Sequence, residues 1–202
     1  MKIYYKDEYV IVCEKDAGLL SEGEGKDCMP YILAQELIAN GEKTEIFTVH
    51  RLDRETSGIM VYARTKKSAA SLSRAITDGS FKKEYVAEIH GAPAENSGRL
   101  EDLLFYDRAK NRSYTVNRMR KGVKDAALEY TVLSSENGIS RVRVKLLTGR
   151  THQIRVQFAS RKMPLVGDRK YGAPDTKRSL SLRACMLLFP HPKTKEIMKF
   201  ED

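Results

Sequence analysis

His50-Arg51-Leu52-Asp53-Arg54-Glu55-Thr56-Ser57-Gly58-Ile59-Met60-Val61-Tyr62-Ala63 sets four charged side chains and a Thr-Ser-Gly turn directly before a short apolar run. Ile59 to Ala63 has the length of a buried strand, so the stretch reads as a charged loop delivered by the core. A carboxylate at Asp53, with Arg51 and Arg54 as neighbours and Arg150 brought in by folding, is expected from the pattern alone to stay ionised. That suits it to nucleophilic work and not to proton donation. A loop ion-pair network that only fixes a turn would show the same residues, and spacing alone leaves both readings open.

Around this loop the chain alternates strands and short helices. Residues 2–5 and 9–14 read as a strand pair with Asp7-Glu8 at the turn, and Ile32, Leu33, Leu37 and Ile38 mark a helix over 29–39 stopped by Asn40-Gly41. Thr65 is placed to cap a helix over 66–76. Residues 81–90 alternate as a strand, and 128–134 with 139–147 form a hairpin around Asn137-Gly138. Residues 91–124 read as irregular, 151–161 as a helix, and 180–188 as the last long strand. The fold class expected is α+β: a mixed, largely antiparallel central sheet flanked by helices, in a single domain over 1–202.

Composition narrows the function classes. The 202 residues are 41% hydrophobic and 31% charged, which excludes a disordered tail. No apolar run approaches the roughly 18 residues of a membrane helix, and the start MKIYYKDEYV lacks the pattern of a signal peptide, so a soluble cytoplasmic protein without membrane contact is expected. Cys13, Cys28 and Cys185 are odd in number and far apart, against a disulfide framework or a zinc knuckle. The formal net charge is +9. Residues 1–50 hold 5 basic and 10 acidic side chains, leaving 31 and 17 for residues 51–202, so the surplus is confined to the later part. Such a face meets a polyanion, or it is simply solubility charge.

No phosphate-binding glycine loop, GxSxG elbow or metal-ligand spacing among His50, His90, His152 and His191 is present, so no metal or cofactor is expected. Arg108, Lys110, Arg112, Arg118, Arg120, Lys121 and Lys124 fall in a run without acidic residues over 108–124, with Tyr106 and Tyr114 close by. Such a run tracks phosphates and offers rings for base stacking. Arg141, Arg143 and Lys145 alternate with Val142, Val144 and Leu146, as on a phosphate-tracking strand or on any half-exposed one. Gly149-Arg150-Thr151-His152-Gln153-Ile154-Arg155 forms a second basic cluster between a strand and a helix.

The segment HRLDRETSG at 50–58 resembles the signature of the RluA family of RNA pseudouridine synthases. KKEYVAEIHG at 82–91, GRTHQIRVQ at 149–157 and PLVGDRKYG at 164–172 resemble further family segments in the family's order, and both chain ends resemble its terminal strands. The resemblance implies a pseudouridine synthase catalytic domain with a central RNA-binding cleft. It implies Asp53 as catalytic aspartate, Tyr85 as the ring stacking on the target uracil, Arg150 as the cation paired with the carboxylate, and Arg51 as the side chain entering the RNA where the base flips out. Ile154 becomes a pocket wall or, one turn from Phe158, equally plain core. Arg54, Arg155 and the basic run at Arg108, Lys110, Arg112, Arg118, Arg120 and Lys121 become RNA contacts.

Asp16 stands where the family usually has proline, Gln157 where histidine is common, Lys162 where glycine is frequent and Arg183 where histidine is found. The pattern begins at residue 3, so the S4 domain of many relatives is expected to be missing, leaving RNA affinity to the catalytic domain. The implied reaction is an isomerisation of uridine in ribosomal or transfer RNA; a monomer with no obligate protein partner is the default expectation, with the oligomeric state left open by the sequence. A catalytically silent RNA-binding module would not need Asp53, Tyr85 and Arg150 together, and a metal-dependent nuclease would need more clustered carboxylates than Asp53 and Glu55.

Overall fold

The computed structural model describes residues 1–175 and 178–202. Its strands in chain order are β1 (Ile3–Lys6), β2 (Val10–Lys15), β3 (Phe47–Thr48), β4 (Ser57–Ala63), β5 (Lys82–His90) and β6 (Ser97–Asp107). There follow β7 (Arg112–Val116), β8 (Val123–Glu136), β9 (Ile139–Leu146), β10 (Leu182–Pro190) and β11 (Ile197–Glu201). The helices are α1 (Met29–Ala39), α2 (Lys66–Thr77) and α3 (Gln153–Ala159). Residues group into two units, Met1–Lys83 with Ala184–Asp202, and Glu84–Arg183.

In the first unit, Asp7 turns β1 into β2 by accepting the backbone N–H groups of Tyr9 and Val10 on one carboxylate oxygen, at 2.7 and 2.8 Å. β2 then pairs antiparallel with β4, Val12 opposite Val61. Both strands are buried nearly throughout, which is why they read as continuous apolar runs instead of alternating ones. Thr65 caps α2, its hydroxyl accepting the Ser68 N–H at 3.0 Å. Leu72 and Ala75 of α2 join Val10, Val12, Ile59, Val61, Phe81, Leu187 and Phe189 in the core. Each such side chain of Val size or larger contributes about 1.5–3 kcal/mol of burial. β11 pairs antiparallel with β10 at the C-terminus.

The second unit orders its strands β5-β9-β8-β6-β7, with every ladder antiparallel. The Asn137-Gly138 turn has positive φ at both residues, as a tight hairpin requires. α3 presents Val156 to a cluster with Leu104, Ala126 and Tyr171.

The α+β class and the largely antiparallel pairing hold, and several local expectations are corrected. Residues 91–124 are not irregular: they contain β6, β7 and the start of β8. In β6 only Leu100 and Leu104 are buried, so an exposed ribbon shows no period-two signal. Ser57 and Gly58, read as a turn, open β4, where Gly58 at φ +122° would put a Cβ 2.2 Å from the Ala184 carbonyl oxygen. α3 starts at Gln153 because His152 adopts φ 53°. β3 and β11 are additional, two and five residues long. All three cysteines are buried, and among the described residues they form no disulfide.

Candidate active site

Asp53 lies half-buried on the loop between β3 and β4, and the backbone on both sides of it is pinned. The Ser21 hydroxyl accepts the Leu52 N–H at 3.0 Å and donates to the Leu52 carbonyl oxygen at 2.8 Å, an extended-chain pairing made by one side chain. The Asp53 carbonyl oxygen accepts the Thr56 N–H at 3.0 Å, closing a turn. The Arg54 carbonyl oxygen accepts twice, from the Gly18 N–H at 2.8 Å and from Lys15 Nζ at 3.0 Å. Lys15 is fully buried and also donates to the Asp16 carbonyl oxygen at 3.0 Å. Burial pulls its ammonium down to about 8, against the opposing charges of Glu55, Asp53 and Asp16. A buried cation therefore sits under the carboxylate-bearing loop.

The two arginines flanking Asp53 face outward. Arg51 Nη1 pairs with Glu22 at 2.6 Å. Arg54 donates to the Gly18 carbonyl oxygen at 2.9 Å and pairs with Asp27 at 3.2 Å. Before them His50 is buried with Nε2 accepting the Val61 N–H at 3.1 Å, which ties the loop to β4. Burial, and then the Lys83 charge, hold this imidazole well below its ordinary range, so it is a neutral anchor.

In the second unit Tyr85 is buried on β5, opposite Val144 of β9. Arg150 follows β9 on a loop clamped by the buried Gln153 amide. Gln153 Oε1 accepts the Arg150 N–H at 3.0 Å and the Thr148 hydroxyl at 2.8 Å, while Nε2 donates to the Ala127 carbonyl oxygen at 3.0 Å. Arg150 Nε donates to the Asp125 carbonyl oxygen at 2.8 Å. Ile154 is buried one residue beyond this clamp.

Arg155, expected as an RNA contact, requires correction. The residue is 6% exposed and its guanidinium forks onto Asp168 at 2.7 and 2.8 Å, over the Tyr171 ring, so it serves the interior and offers phosphate little surface. The basic run divides by position. Arg108 and Lys110 are exposed at the β6–β7 turn, and Arg118, Arg120 and Lys121 on the loop before β8. Arg112 lies half-buried over the Tyr171 and Tyr114 rings. On β9, Arg143 and Lys145 meet Glu84 and Glu129 of the neighbouring strands at 3.6 and 3.0 Å, as an ordinary half-exposed sheet does.

Lys15 and Ser21 were not legible as site residues, since a lysine closing a strand reads as surface and a serine beside Glu-Gly-Glu as loop. Among the described residues no group of three or more His, Cys, Asp or Glu side chains could hold a metal ion, and no helix is long and apolar enough to cross a membrane.

Residues 9–160 match the RNA pseudouridylate synthase family. The dual-specificity RNA pseudouridine synthase RluA of Salmonella typhimurium is 34% identical over 208 residues, spanning 98% of this chain and 91% of that protein. Its counterpart in Yersinia pestis is 32% identical over 211 residues, spanning 100% and 98%. The solved structure of human RNA pseudouridylate synthase domain containing 4 is similar in fold, with a TM-score of 0.83 at 24% identity over 100% of this chain and 87% of that one. Fold and similarity together define an RNA-modifying isomerase. The chain belongs to the RNA pseudouridylate synthase family.

Proposed function

We propose that the protein converts a specific uridine of structured ribosomal or transfer RNA to pseudouridine, with Asp53 as the catalytic carboxylate. The observation that carries this reading is Asp53 itself, inside HRLDRETSG, on a loop whose neighbouring backbone groups are held by Ser21, Gly18 and Lys15. Pinned backbone on both sides is the preorganisation a reacting side chain needs. The relatives are named dual-specificity RNA pseudouridine synthases, which supports more than one RNA as source of the uridine.

The reaction balances without an outside reagent. The bond from ribose C1′ to N1 breaks, the base turns, C1′ bonds to C5, the C5 proton leaves to solvent and N1 takes one up. The carboxylate serves by attacking C1′, by attacking C6 of the uracil, or as base at the ribose 2′ position. Arg51 fills the gap left by the flipped nucleotide, offsetting part of an unstacking cost of about a few kcal/mol. Tyr85 stacks on the uracil, Arg150 serves the chemistry as a cation and Ile154 supplies apolar wall. Arg54, Arg108, Lys110, Arg112, Arg118, Arg120 and Lys121 contact phosphates. The enzyme acts as a cytoplasmic monomer, with 1–202 as one catalytic domain.

Mapping pseudouridine in ribosomal and transfer RNA from cells with and without the gene tests the substrate. Loss of modification at one or a few positions is expected, and an unchanged map in both RNA classes overturns the assignment.

A further inference from the structure

We propose that Glu22 is a positioning residue that holds Arg51 back from RNA in the free enzyme and hands it over when the substrate's phosphates arrive. The inference rests on the reading above, in which Arg51 enters the RNA. Arg51 and Glu22 are 60% and 53% exposed in their side chains, yet their pairing at 2.6 Å is built by the buried backbone beneath them. Ser21 is 4% exposed, grips both backbone groups of Leu52, and has its own carbonyl oxygen held by the Tyr62 hydroxyl at 3.0 Å. The residues next in each chain segment, Glu22 and Arg51, are thereby set side by side. Gly23 then turns the segment away at φ +120°, where a Cβ would stand 2.8 Å from the Cys28 sulfur. The same segment supplies Asp27 to Arg54 at 3.2 Å, so both arginines flanking Asp53 are engaged by one acidic loop.

An anion held beside a cation competes with phosphate for it. An RNA must displace Glu22 to reach Arg51, and a poorly fitting RNA leaves the glutamate facing its own phosphates uncompensated. An exposed pair exerts a modest hold, so it taxes binding without blocking it. The chemical step, which follows the displacement, is not its target.

Binding of unfractionated transfer RNA is measured across salt concentrations, and KM and kcat are measured on bulk RNA labelled with [5-³H]uridine. The proteins compared are wild type, Glu22→Gln, Glu22→Asp, Arg51→Ala and Glu22→Gln/Arg51→Ala. Glu22→Gln is expected to tighten binding about two- to fivefold at low salt. Its salt slope steepens by about one, and its kinetic effect is confined to KM. Glu22→Asp, which keeps the charge, stays near wild type, and in the Arg51→Ala background Glu22→Gln changes nothing. Equal tightening with and without Arg51 overturns the proposal in favour of a general charge effect. No tightening by Glu22→Gln while Arg51→Ala weakens RNA binding overturns it and leaves the reading of Arg51 standing. No effect of Arg51→Ala on binding or activity overturns both.

Discussion

Lys15 Nζ lies 3.0 Å from the carbonyl oxygen of Arg54, the residue that follows Asp53 in the chain. A fully buried ammonium is costly, and here it is spent on two carbonyl oxygens, those of Arg54 and Asp16. The arrangement fixes the loop's path where a carboxylate must be aimed, leaving Gly18 as the other donor to Arg54.

Lys15→Met keeps the length of the side chain and removes the donor. The loop is expected to loosen, lowering kcat by about 10- to 100-fold, the penalty of a misplaced reacting group, with little change in RNA affinity. The folded value near 8 lies below the ordinary 10.5. Unfolding then takes up a proton between those values, and wild-type stability relative to Lys15→Met rises with pH across that window and not below it. Urea titrations at several pH values, beside single-turnover kinetics, check both expectations.

His50 gives the opposite end of the pH scale. Its Nε2 accepts the Val61 N–H and must be unprotonated to do so. With its folded value depressed by burial and by Lys83, the stabilisation is whole above the ordinary 6.5 and is lost as pH falls below it. Thermal melts from pH 7.5 to 5 should show wild type losing up to about 1.4 kcal/mol per pH unit below 6.5. His50→Gln, which retains an acceptor, loses less over the same interval. Parallel curves for the two proteins contradict this account.

Arg155→Ala strands the Asp168 carboxylate, which has no exposed side-chain surface. A destabilisation of about 3–5 kcal/mol is expected in urea unfolding. The salt slope of RNA binding per folded molecule should stay at the wild-type value, since the guanidinium meets no phosphate. A slope reduced by about one would return Arg155 to the RNA face.

Lys162, expected from the sequence to stand at a glycine position of the family, occupies φ 62°. Lys162→Gly relieves a left-handed conformation that costs a side-chain-bearing residue, and a gain of about 0.5–1 kcal/mol is expected, read as a higher Tm with unchanged kcat.

What could be read from the residues follows physical signals of different strength. β2, β4 and α2 were legible because unbroken apolar runs and a capping threonine leave few alternatives. β6 and β7 were hidden because a ribbon with two buried leucines in β6 and a cationic turn carries no alternation. Arg155 was grouped with Arg150 because both stand in one basic motif. Only the late start of α3, set by His152 at φ 53°, decides which of the two faces inward. Gln157 is buried with its amide on Asp102 at 2.7 Å, a partner 55 residues away that no local pattern announces.

The central claim is that Asp53 carries an isomerisation of uridine in RNA. Release of tritium from [5-³H]uridine in bulk RNA of cells lacking the gene tests it, with wild type and Asp53→Asn side by side in excess chelator. Release by wild type with none above background by Asp53→Asn is the result predicted. Equal release by both, or RNA binding without release by wild type, would contradict it.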